Sequence, residues 1–330
     1  MGSFLFALNA VLPIVLMVAA GYGLKRVGLF NTDLAKQVNK LVFKIFIPTM
    51  LFVSIYDIKD IADVDFGYII YAMIVVVAIF ALSIPFYMAV TKDNKKRGSL
   101  IQSSFRSNFA LIGIPLATAL FGTEGGSVAA VLLAVVVPVF NILAVISLSL
   151  FRNEKGADVK KILIGIASNP LIHGVVLGFG VLLFRSVFIE LGVEFRLTDI
   201  APAFKVVRNL GELATPLALL VLGAQFEFSA VSEMKREIII GTFVRVVINP
   251  LIGIGLAYLL FRDTFTGAHF AALVATFATP VAVSSVPMAQ EMDSDVKLAG
   301  QLVVWTTICS GFTIFIISFL LSLDGIFPTL

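Results

Sequence analysis

Ten apolar stretches, each near the roughly 20 residues that an α-helix needs to cross a bilayer core, take up most of this 330-residue chain. They run over residues 4–24, 37–56, 66–90, 100–121, 127–151, 162–184, 208–226, 237–261, 267–290 and 298–323. Hydrocarbon satisfies no backbone polar group, so only helices and closed barrels span membranes. Barrel strands would read as stretches of about ten residues with alternating polarity, and these runs are longer and continuous. The sequence therefore predicts an all-α integral membrane protein with ten transmembrane helices. Only 14% of the residues are charged, against about 25% in soluble domains. The first stretch follows Met1-Gly2-Ser3 without a basic flank or a small-residue cleavage site, so it reads as a retained helix and not as a signal peptide.

Charge placement sets an orientation. Seventeen of the 24 lysines and arginines fall in odd-numbered connections; among them are Lys92, Lys95, Lys96, Arg97 and Arg106, all assigned to the connection between spans 3 and 4. Six fall in even-numbered connections, and Arg245 lies inside a span. The positive-inside rule puts the odd connections in the cytoplasm and both termini on the extracytoplasmic side of the cell membrane. The run Lys92–Arg97 is then a topology determinant, and no nucleic-acid partner is expected. The single cysteine, Cys309, has no partner for a disulfide and reads as a small apolar residue of span 10. Residues 185–207 read either as an interfacial helix broken at Ala201-Pro202 or as a plain external loop.

The prolines mark an internal repeat. Pro13, Pro48 and Pro115 match Pro170, Pro216 and Pro280, and 165 residues, half the chain, separate Pro115 from Pro280. The expected organisation is one membrane domain: a first five-helix repeat over 1–151, a cytoplasmic connection at 152–161 and a second repeat over 162–330. An odd helix number makes the second copy enter from the opposite face, giving a 5+5 inverted repeat. Proline inside a membrane helix frees polar backbone groups, so spans 4 and 9 are expected to break at Gly113-Ile114-Pro115 and Thr279-Pro280. Gly113 permits conformations that a helix refuses, and Pro115 can start the second half-helix. Half-helix N-termini facing each other near the midplane favour an anion, most naturally a carboxylate.

The polar groups nearest these breaks are the candidate substrate ligands. Asn108 leads, because an amide both donates and accepts; Thr279, Ser284 and Ser285 follow, with Thr118 and Thr276, and Asn141 and Gln301 as outer contacts. Hydroxyls in membrane helices commonly bond their own backbone instead. Arg245, as an ionisable group within a span, is either a substrate or gating contact or a side chain that snorkels to the surface. His173 reads as a proton relay or as a packing histidine, and His269 as interfacial.

Asn-x5-Gly-Ile-Pro (Asn108 to Pro115), Asn169-Pro170, Pro216-Leu217-Ala218-Leu219 through Leu222-Gly223-Ala224, and Pro280-Val281-Ala282-Val283 with Ala289 resemble the auxin efflux carrier family. That family includes plant PIN carriers and bacterial permeases for malonate or malate, and the resemblance covers all ten spans without the long central loop of many plant members. It implies crossing broken helices 4 and 9, a scaffold of helices 1, 2, 6 and 7, a homodimer and an elevator-type shift. It points to Asn108, Pro115 and Pro280 as crossover positions. Ser284 departs from bacterial relatives, which often carry an amide there, so substrate identity does not carry over. Sodium-coupled proteins of similar fold direct attention to Gln290 and Glu291; the coupling ion, proton or sodium, stays open, and no cofactor or metal is implied.

The expected function is secondary active transport of a small organic anion, auxin-like or a mono- or dicarboxylate, in a lipid bilayer. An anion channel or membrane ligand receptor is the alternative. An enzyme is disfavoured, since no His-Glu-x-x-His pair, paired aspartates or Ser-His set lies within the spans. No phosphate loop for ATP is present either.

Overall fold

The computed structural model of the chain describes residues 13, 16–57, 66–152, 164, 167–192, 195–227 and 229–327. The beginnings of the first and sixth apolar stretches and nearly all of the predicted connection at 152–161 lie outside the described residues. What is described is almost entirely helical. After α1 (16–26) come α2 (Thr32–Leu41) and α3 (Ile47–Tyr56), then α4 (Phe66–Val90) and α5 (Asn94–Phe105). The long helical run Ile114–Leu150 is divided by Phe121 and by Gly122, whose φ of 64° ends a helix, into α6 (114–120) and α7 (123–150). The remainder comprises α8 (Pro170–Glu190), α9 (Ala201–Glu212), α10 (Ala214–Gln225), α11 (Ser229–Glu233), α12 (Lys235–Phe243), α13 (Leu256–Phe261), α14 (Gly267–Phe277), α15 (Ser285–Glu291) and α16 (Val296–Leu323).

The outer surfaces are those of a membrane protein. Among the described residues, five helical runs are long and apolar enough to cross a bilayer: Phe66–Val90, Ile114–Leu150, Ala201–Gln225, Lys235–Phe261 and Val296–Leu323. On α4, Phe66, Ile70, Ile74 and Val77 form an exposed apolar stripe, and on α16 Phe312, Phe315, Ile316, Phe319, Leu320 and Leu323 form another. Such stripes at helical spacing would face a core in a soluble protein; here they face outward, where lipid receives them. The chain is an integral membrane protein of several apolar helices.

The centre is occupied by the helices that lead toward the site. Every residue of α5 from Gly98 to Phe105 and of α14 from Ala268 to Phe277 is buried, so both run through the interior. Small residues bring other helices together: a Cβ on Gly174 of α8 would stand 2.4 Å from the Pro48 carbonyl oxygen, and one on Gly223 of α10 would stand 2.0 Å from the Val18 carbonyl oxygen. Close approach at glycine is a common device of membrane helix packing.

The prolines widen helices more than they break them. A proline ring clashes with the carbonyl four residues earlier and cannot donate to it. Here π-helical turns at Val42–Phe46, Phe109–Gly113 and Val244–Ile248 surround the carbonyls four residues before Pro48, Pro115 and Pro250. The wider turn removes the clash without ending the helix. The expected break at Gly113-Ile114-Pro115 is therefore corrected: Gly113 has φ −66° and ψ −48°, fully helical. Glycine is needed there for space, since a Cβ would lie 2.2 Å from Phe109 Cδ2 and 3.2 Å from Ala275 Cβ of α14.

Candidate functional site

The interruption before α6 falls at Arg106–Asn108, where Arg106 is extended (φ −85°, ψ 105°) and Asn108 has φ −80° and ψ 51°. The second interruption occupies 278–284, between α14 and α15. The two are joined to each other. Ser107 and Val281 form an antiparallel bridge, the Asn108 N–H donates to the Pro280 carbonyl at 2.8 Å, and the Ala282 N–H donates to the Arg106 carbonyl at 3.2 Å.

Buried backbone groups need partners, and the freed carbonyls find theirs on Arg245 and Asn249. The Thr276 carbonyl has no donor four residues on because Pro280 stands there; Arg245 Nη2 donates to it at 3.2 Å. The Thr279 carbonyl receives Arg245 Nε at 2.9 Å and Nη2 at 2.6 Å. The Ser104 carbonyl has lost Asn108 N–H to Pro280 and instead receives Arg245 Nη1 at 3.1 Å, together with Asn249 Nδ2. On the other strand, Val281 N–H donates to Thr306 Oγ1 at 3.1 Å.

A cavity of about 50 Å³ opens beside the junction. Its polar lining is Arg106, Ser107, Asn108, Asn141, Thr215 and Ser284, and its apolar wall includes Ile47, Met50, Leu51, Val137, Phe140 and Ala218. Arg106 is 3% exposed. Its Nη2 donates to Asn141 Oδ1 and to Ser284 Oγ, both at 2.8 Å, and its Nη1 to Met288 Sδ. Asn141 is itself anchored through Nδ2 to the Val137 carbonyl at 2.8 Å. None of these partners is charged, and among the described residues Arg106 has no carboxylate within ion-pair distance. The Nδ2 of Asn108 and the Oγ atoms of Ser107 and Ser285 are buried without hydrogen-bond partners.

The structure thus gathers Asn108, Asn141 and Ser284 around Arg106, which was assigned from sequence to a cytoplasmic connection and is instead buried in the interruption. The same rule that drew attention to Arg245 would have found it, because Arg106 lies within the stretch 100–121. Pro280 contributes its carbonyl to the junction. Thr279 and Thr276 bond their own helix, donating from Oγ1 to the Ala275 and Ala272 carbonyls at 2.8 Å, and Thr118 donates to the Ile114 carbonyl at 2.9 Å. Gly113, Pro115, Ser285 and Arg245 do not line the cavity. Arg245 neither snorkels nor faces the cavity: it is 1% exposed and spends its donors on the three carbonyls above.

The outer candidates lie apart from this centre. Gln290 accepts from Gln225 Nε2 at 3.1 Å, and Gln301 donates to the Glu227 carbonyl at 2.9 Å. His173 is hydrogen-bonded to the Ala167 carbonyl at 2.7 Å, and His269 stacks on Tyr68 with centroids 4.4 Å apart.

The membrane transport protein family model matches residues 6–318. An uncharacterized transporter of Methanothermobacter thermautotrophicus is 24% identical over 312 residues, covering 93% of this chain and 96% of that one. Uncharacterized transporter MJ1031 of Methanocaldococcus jannaschii is 25% identical over 310 residues, 91% of this chain and 94% of that one. Uncharacterized transporter YfdV of Escherichia coli K12 is 25% identical over 300 residues, 87% of this chain and 89% of that one. Together with the auxin efflux carrier motifs, a match of this extent assigns the chain: it belongs to the membrane transport protein family.

Proposed function

We propose that the chain is a secondary active transporter of small organic anions, which bind at the junction of the two interruptions. The observation that carries this reading is Arg106. Taking an ion out of water costs several kcal/mol even after relaxation, and no carboxylate among the described residues offsets that cost. A cation so placed, beside a cavity and the unpaired Nδ2 of Asn108, is matched by an anionic ligand. The helical run that begins at Phe109 turns its positive end toward the same point.

The wider architecture is proposed on the same basis. The bridged interruptions support crossing broken helices 4 and 9 in a ten-span, 5+5 inverted repeat, with odd connections and both termini placed as the charge distribution predicts, in the plasma membrane. The repeat is better aligned on Pro287 than on Pro280. Pro115 stands in the first turn of α6 and Pro287 in the first turn of α15, 172 residues apart, against 174 for the bridged pair Ser107 and Val281. Pro280 lies inside the interruption itself. Substrate would cross by an elevator-type shift of the core against the helices of spans 1, 2, 6 and 7, within a homodimer.

Purified protein in liposomes tests the function: saturable uptake of a labelled carboxylate with counterflow is expected, and weakened uptake in Arg106→Gln. Unitary anion currents without counterflow would overturn the carrier reading.

A further inference from the structure

We infer that the cavity is built for a monocarboxylate of two or three carbons, bound through its single charge to Arg106. This deepens the anion-carrier reading and rests on it. Three observations bear on the substrate.

The first is charge. Among the described residues Arg106 is the one charged side chain that lines the cavity, so one negative charge is matched and a second is not. A dicarboxylate would bring in a second charge for which the described lining offers neutral polar groups and an apolar wall but no counter-ion, and a desolvated charge without one is disfavoured.

The second is donor geometry. Nη2 of Arg106 is committed to Asn141 and Ser284, and Nη1 gives one bond to a thioether. Nε and the second Nη1 hydrogen remain, and the Nδ2 donor of Asn108 has no partner. Both guanidinium edges that give parallel N–H bonds need Nη2, so a planar acceptor with two oxygens uses one remaining N–H of Arg106 and the Nδ2 donor of Asn108, one for each oxygen. A spherical halide uses it poorly.

The third is size. At roughly 10–15 Å³ for each water-sized site, a cavity of about 50 Å³ holds about three to five such sites. Acetate, propionate, lactate and pyruvate are of that size, and an indole ring is not. The short alkyl or acyl body meets the methyl and methylene groups of the apolar wall.

The test is ligand stabilisation of the full-length protein in detergent, titrated with acetate, propionate, lactate and pyruvate, and in parallel with malonate, succinate, malate and indole-3-acetate. Ionic strength is held constant with sodium chloride. At least one of the first four is expected to bind at least about tenfold more tightly than every member of the second group. Arg106→Gln should weaken that binding at least about tenfold. Ala218→Val, which adds methyl groups at the wall, should weaken propionate more than acetate, and this arm serves if Arg106→Gln fails to fold. Equal or tighter binding of a dicarboxylate or of indole-3-acetate would overturn the inference and leave the anion-carrier reading standing. An unchanged propionate-to-acetate ratio in Ala218→Val would also overturn it. Binding of no organic anion, or binding that Arg106→Gln leaves unmoved, would overturn both.

Discussion

Replacing Arg245 by methionine should unfold the junction without touching the ligand. Methionine keeps much of the arginine stem and removes all of its donors. The Thr276 and Thr279 carbonyls then lose the guanidinium that reaches them, while the Ser104 carbonyl keeps Asn249. A buried acceptor left unsatisfied costs about 1–3 kcal/mol, so two cost about 2–6 kcal/mol. An opposing effect is the relief of burying one ion fewer. Hydrophobic replacement of buried ion pairs can be neutral or stabilising, but only when both partners go; here the carbonyls stay. The destabilising effect is expected to win, with a fall of about 5 °C or more in the melting temperature of the detergent-purified protein. Arg245→Lys, retaining a shorter set of donors, should recover part of the loss. Carboxylate affinity of the folded fraction should stay near wild type, since Arg245 does not line the cavity. An unchanged melting temperature with affinity lowered tenfold would refute the carbonyl accounting and make Arg245 a ligand contact.

Asn108→Ala is expected to act oppositely: its side-chain Nδ2 has no protein partner, so stability should change by less than about 1 kcal/mol, while carboxylate binding measured by ligand stabilisation is lost. Pro115→Ala restores a backbone donor within a turn that is already helical, so binding should stay within about threefold of wild type; a lost site would return the critical break to Pro115. Transport should be exchange-like, because a seated anion neutralises Arg106 and eases its passage through low dielectric. Carboxylate inside the liposomes is expected to accelerate uptake about tenfold or more, and equal rates with and without it would count against this role of Arg106.

Helical content and membrane insertion were legible because both rest on long-range averages: apolar runs of bilayer length, with few charges inside them. The helix end at Gly122 was legible too, since it falls where the apolar stretch pauses. The location of the first interruption was not. Proline signals a missing donor, yet a helix has two responses to that loss, and at Pro48, Pro115 and Pro250 it widens into a π turn. The true interruption at Arg106–Asn108 carries no proline and no glycine. It is held by tertiary partners, the Pro280 carbonyl and the Ala282 N–H, that are some 170 residues away in the chain. Asn108, Asn141 and Ser284, named from the sequence as amides and a hydroxyl near the expected breaks, do line the cavity. Arg106 was missed because it closely follows a basic run, and its charge was credited to that run.

The two buried arginines divide the junction by polarity. Arg245 lies where α5 and α14 end, among carbonyl groups whose partial negative charge a guanidinium satisfies. Arg106 lies where the helical run from Phe109 begins and beside Ser284, which precedes α15. There the nearby helix end is itself positive, so backbone dipoles add to the charge of Arg106 where they offset that of Arg245. Two side chains of the same type, both almost wholly buried, therefore have opposite consequences. The protein's own carbonyls complete the first, and in the transport reading proposed above a negative group from outside matches the second. Moving the positive charge from position 106 to position 141 by the double change Arg106→Asn, Asn141→Arg would keep the cavity's charge and change its direction, so recovered binding in the double variant would assign the effect to charge in the cavity and not to the fold around position 106.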